Sequence, residues 1–159
     1  AVLTSGCTLF NTSGQTINEP DITIDYLQGE YRDQLIRDGA VEITGSAEVI
    51  ASDDGLRHIT IHEKEYVNDD SYPNGFYIAN KNKSTQAFLP DEARITFLEG
   101  GASEPEILGP DAFLSAYDRE NAKYGEDSSY SVTSFYDTKL YTFYLFDDQI
   151  LLMLARYIP

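Results

Sequence analysis

KLYTFYLFDDQILLMLARYIP, residues 139–159, is the stretch on which the fold turns. Successive side chains of a strand point to opposite faces, yet from Leu140 to Phe146 both alternating sets are apolar or aromatic, with Thr142 the one exception. Such a strand needs cover on both sides, which places it at the centre of a sheet. The polar step Asp147, Asp148 and Gln149 separates it from a second apolar run over 150–158, so the two read as an antiparallel hairpin. With the preceding YSVTSFYD, residues 130–137, the pattern predicts a three-stranded meander.

Working outward, the same period of two recurs. In AVEITGSAEVIAS, residues 40–52, Val41, Ile43, Ala47, Val49 and Ala51 alternate with their neighbours, and Asp53, Asp54 and Gly55 supply a turn. LRHITIHEKEYV then sets Arg57, Ile59 and Ile61 against His58, Thr60 and His62, completing a hairpin. NDDSYPNG, residues 68–75, is an interior loop, followed by two expected short strands in FYIAN and TQAFLP, a strand in ARITFL and a partner in EPEIL. Ile22 and Ile24 suggest a further short strand. Helical spacing appears twice, in EYRDQLIRD before Gly39 and in DAFLSAYDRENAKYG, which Pro110 opens. The expected fold class is α+β, predominantly antiparallel β in a curved sheet or small barrel with two short helices. Residues 1–20 read as a leader remnant and a polar tether, NTSGQTINEP, ahead of one domain over 21–159.

Charge narrows the partners. The 27 acidic residues stand against 11 basic ones, a formal net charge of −16, which repels phosphate backbones and anionic lipid across a screening length of about 8 Å. Nucleic acid is therefore excluded as an expected partner, and a membrane is reached only through a lipid anchor. With 12 Tyr and 8 Phe the chain has the aromatic surface that a folded core requires. One cysteine, Cys7, allows neither an internal disulfide nor a paired-thiol zinc site. No run reaches the roughly 18–20 apolar residues of a membrane-spanning helix.

Few residues point to chemistry. His58 and His62 are the only histidines, and on a strand their Cα atoms lie about 13 Å apart, too far to share one ion. Catalytic residues are unassigned, because no nucleophile elbow, zinc-protease helix or phosphate loop is present. Asn68, Asp69 and Asp70 gather oxygen donors beside a Pro-Asn-Gly turn and form the candidate calcium loop; no other cofactor is expected. Tyr72 and Tyr77 of SYPNGFY are the candidate binding residues, with core packing as the plainer reading of the aromatic clusters.

PNGFYIANKN, QAFLPDEARITFLE, AFLSAY and the terminal YLFDDQILLMLARYIP together resemble a loosely defined group of exported bacterial domains, many of them lipoproteins of Gram-positive organisms. The resemblance covers about residues 66–159 and rests on structural motifs: a Tyr-rich turn, a Leu-Pro step, a helix and a closing Tyr-hydrophobic-Pro strand. It implies export, anchoring and a β-rich fold. Leu3, Thr4, Ser5 and Gly6 before Cys7 then fit a permissive lipoprotein processing site, with Cys7 lipidated and the domain held outside the bacterial cell membrane. The expected role is a non-catalytic binding or structural one toward a protein or glycan at the cell surface. An extracellular carboxylate-dependent hydrolase and an acidic inhibitor that mimics nucleic acid are the alternatives.

Overall fold

A computed structural model describes residues 21–100, 104–126 and 134–158. Cys7, the tether and residues 130–133 of the expected first meander strand lie outside them. The protein is α+β, with seven strands that are mostly antiparallel and two helical regions.

The first helical region overturns the expected strand at Ile22 and Ile24. Thr23 is an N-cap whose Oγ1 accepts from the Tyr26 backbone N–H at 3.1 Å, starting α1 (Ile24–Tyr26). The chain runs on through a π-helical stretch, Leu27–Tyr31, into α2 (Arg32–Arg37), and stops at Gly39 with φ 103°. Alternation over three residues misleads here because the cap and the helical spacing of Leu27, Tyr31 and Leu35 outweigh it.

Strands β1 (Val41–Ile50), β2 (His58–Asn68) and β3 (Phe76–Phe88) follow, then β4 (Arg94–Phe97) and β5 (Glu106–Leu108). Helix α3 (Pro110–Glu126) separates these from β6 (Leu140–Phe146) and β7 (Gln149–Arg156). FYIAN and TQAFLP are thus one strand, β3, not two. Its Lys81, Asn82 and Lys83 bulge outward opposite the single residue Glu63, and Asn82 takes a positive φ of 55°. The end of the expected YSVTSFYD strand is instead a 3₁₀ turn, Phe135–Thr138.

Strand order is β3-β2-β1-β6-β7-β4-β5, and a parallel pairing of Phe88 with Gln149 also joins β3 to β7, so the sheet curls back on itself. Arg57 clasps this closure: it forms ion pairs with Asp91 at 2.9 Å and Asp111 at 2.8 Å and donates to the Leu89 carbonyl. Two apolar clusters lie on opposite faces of β6 and β7. Ile59, Ile61, Phe97, Phe113, Phe143 and Met153 form the larger, against α3. Leu27, Leu35, Tyr144, Leu152 and Leu154 form the smaller, under the first helical region. At its far end α3 contributes Glu120, which meets Lys139 at 3.3 Å and accepts from the Gly100 N–H, while Lys139 also reaches the Leu98 carbonyl.

Gly45 is where β1 changes neighbour. It is the last residue of β1 paired with β6 and the first paired with β2. A Cβ there would collide with the His62 carbonyl oxygen, so only glycine allows the two backbones to approach this closely.

Candidate functional site

Beyond Glu63, β2 pairs among the described residues with β3 alone, and Lys64 to Asn68 pair with Asn80 to Phe76 as a two-stranded ribbon. Asp69 closes the turn at its tip: its Oδ1 accepts from Ser71 Oγ at 2.6 Å and from the Ser71 N–H at 2.9 Å. These two bonds, the side-chain one foremost, hold the Asp69 carboxyl below the usual carboxylate range. Gly75, with φ 78°, accepts from the Asp69 N–H and completes the loop.

The ribbon carries two aromatic stacks on opposite faces. Tyr66 lies on Phe76 with centroids 4.6 Å apart and planes 11° apart, a diagonal cross-strand contact. Tyr72, from the tip, lies on Tyr77 at 4.6 Å and 29°. Tyr66 and Tyr72 remain 38% and 45% exposed, so each stack presents an outer ring to solvent. The two candidate binding residues are therefore brought together. Asn68, Asp69 and Asp70 share the same tip; the Asp69 carboxylate serves the turn, and among the described residues no group of three or more His, Cys, Asp or Glu is arranged to hold a metal.

At the root of the ribbon lies a polar row that the sequence reading missed. His62 Nε2 is 2.8 Å from Glu48 Oε1, its Nδ1 is 3.2 Å from Ser84 Oγ, and its ring stacks on Tyr136 at 4.6 Å. Beside it Asp137 accepts from Ser46 Oγ at 3.0 Å and pairs with Lys64 at 3.1 Å. With Nε2–H donated to Glu48, Nδ1 can accept the Ser84 hydroxyl proton, the connectivity of a nucleophile, a base and an orienting carboxylate. The register makes this row: Ser46 is opposite His62, and His62 opposite Ser84. Alternation alone showed that Glu48 and His62 avoid the apolar face, but the bulge that brings Ser84 into line has no local signature. The second histidine is separate, with His58 Nε2 2.7 Å from Asp54 Oδ2 in the β1–β2 turn.

Comparison with family models, with curated proteins and with solved structures finds no match to this chain.

Proposed function

We propose that this domain is a non-catalytic binding module of the bacterial cell surface, anchored through a lipidated Cys7 and contacting a protein or glycan partner through the ribbon of β2 and β3. The observation that carries the reading is the pair of aromatic stacks, Tyr66 on Phe76 and Tyr72 on Tyr77, held on a ribbon that has no third strand among the described residues. Core packing does not require tyrosines there, whereas stacked rings with one open face suit sugar rings and apolar side chains. Two measurements test it. Sedimentation with purified Gram-positive cell walls compares the wild type with the Tyr72→Ala, Tyr77→Ala double variant; retention falls at least tenfold if the ribbon is the contact, and equal retention removes it. Labelling of the full gene product with radioactive palmitate in a bacterial host disappears in Cys7→Ser if the anchor is right and persists if it is wrong.

The row Ser84, His62 and Glu48 favours one second reading, an extracellular hydrolase that works through a serine. A fluorophosphonate probe decides this: labelling that is lost in both Ser84→Ala and His62→Gln supports it, and an unlabelled wild type dismisses it.

A further inference from the structure

The basic residues are scarce, 11 in 159, yet two of them meet in one cleft of about 400 Å³ between the first helical region and the outer face of β1, β6 and β7. Its floor is a cross-strand block in which Thr44 stands opposite Thr142 and Glu42 opposite Tyr144. Arg156 enters from the end of β7, its Nη1 donating to Thr142 Oγ1 at 3.2 Å. Arg32 enters from the other side, with Gln28 one helical turn before it. Both guanidinium groups act on the Tyr144 hydroxyl, whose ionisation is nonetheless pushed well up, first by burial and then by its hydrogen bond to Glu42. Charge thus converges on the floor from two walls.

The backbone is unusual at the same place. Leu27–Tyr31 is π-helical, a conformation rare in proteins and concentrated at functional sites, and it is this stretch that brings Gln28 and then Arg32 to the rim. Smaller demands are made on the arginines by the protein itself. Arg32 turns Nε and Nη2 to one oxygen of its exposed neighbour Asp33, at 3.3 and 3.0 Å, and Arg156 gives one N–H to Thr142. Each guanidinium carries five donors, so both retain N–H groups for a ligand. Thr44 and Gln28 add neutral hydrogen-bonding capacity at the same cleft.

We propose that this cleft is a binding site for an oxyanion, a phosphate or carboxylate group carried on a small molecule. Arg32 and Arg156 supply the charge-assisted hydrogen bonds, Thr44, Thr142 and Gln28 supply the neutral ones, and Glu42 is held by Tyr144 at the edge, where it faces a donor group on the ligand. The site is separate from the aromatic ribbon and does not depend on it.

Titration calorimetry at constant ionic strength tests this with two probes, inorganic phosphate and succinate, each up to about 10 mM, a range that reaches millimolar dissociation constants. Saturable one-site binding of either probe is the expected result; phosphate alone identifies a phosphoryl ligand, succinate alone a carboxylate one, and both together the shared oxyanion chemistry. Arg32→Gln and Arg156→Gln should each weaken binding about tenfold, the value of one charge-assisted hydrogen bond, while Lys81→Gln on the exposed bulge changes nothing. Circular dichroism checks that the variants fold, and Arg156→Lys, which keeps the charge but loses the planar fork, replaces any that does not and should also bind more weakly. No saturable binding of either probe, or equal binding by wild type and arginine variants, overturns the proposal.

Discussion

Two hairpins of this protein, β6–β7 and β2–β3, use the same residue types to opposite ends. In β6–β7 the aromatic side chains are enclosed on both faces: Phe143 is fully buried among the residues packed on α3, and Tyr144 is buried beneath the first helical region. In the outer part of β2–β3 the aromatics stack on one another and leave a ring open. Composition does not separate the two. What separates them is neighbours, since β6 has a strand on each side and a layer on each face, whereas among the described residues the ribbon has no third strand. An aromatic strand is a core element only when the topology brings something to cover it.

The largest break in that contrast is expected from Phe143→Ala. Emptying a fully enclosed site costs about 3–5 kcal/mol, read from urea unfolding followed by tyrosine fluorescence; a loss under about 1 kcal/mol would mean that the central hairpin is less enclosed than described. Next comes Gly45→Ala, at the junction between the two regions. The added methyl has only backbone in its way, so a loss of about 1–3 kcal/mol is expected, together with displaced amide resonances at His62 and Glu63. Undisturbed resonances there would contradict the close approach.

Tyr141→Phe sharpens the comparison from the other direction. The Tyr141 hydroxyl is buried with no hydrogen-bond partner among the described residues, so its removal should leave stability unchanged or raise it by about 1 kcal/mol. A loss of more than about 1 kcal/mol would point to a bound water or another partner at that oxygen. Tyr72→Ala should cost only about 0.5–1.5 kcal/mol, the worth of one stacked pair, because its ring faces solvent. A cost matching that of Phe143→Ala would abolish the distinction.

The smallest effect belongs to the β1–β2 turn. Asp54 accepts from the Leu56 N–H and is bonded to His58, and these partners, the backbone one foremost, depress its carboxyl to about 2. A carboxyl depressed in the folded state stabilises above its unfolded value near 3.8, and that contribution is lost as pH falls from there through about 2. The protection of the Leu56 amide, its exchange rate relative to the intrinsic rate at the same pH, should therefore fall below pH 3.8 while the protection of β6 amides holds. In Asp54→Asn the pH dependence of that protection should vanish.

Much of this architecture was legible in the residues. The two-sided apolar pattern of Leu140–Phe146 marked the central strand, Asp53, Asp54 and Gly55 marked the first hairpin turn, and the Pro110 start and the face of Phe113 and Tyr117 marked α3. Short-range patterns failed where a longer-range partner decides. Ile22 and Ile24 alternate like a strand, but the Thr23 cap commits the segment to helix. Residues 76–88 look broken at the polar run Lys81, Asn82 and Lys83, but β2 runs alongside and a bulge absorbs the excess. For the candidate sites, Tyr72 and Tyr77 were close enough along the chain to be seen together. His62 found Glu48 and Ser84 through strand register, and Arg32 found Arg156 across more than a hundred residues, neither of which any local pattern encodes.

The order of strands also dictates an order of assembly. Among the described residues, β3-β2-β1 on one side and β4-β5 on the other are joined in the sheet only by β6 and β7, which leave the ribosome last of the seven. Until Gln149–Arg156 has been made, the earlier strands are two open sheets with unpaired edges, and a nascent chain cannot complete its core by stages. A release-arrested series of increasing length should accordingly stay sensitive to protease up to Phe146 and turn resistant abruptly once β7 has cleared the exit tunnel.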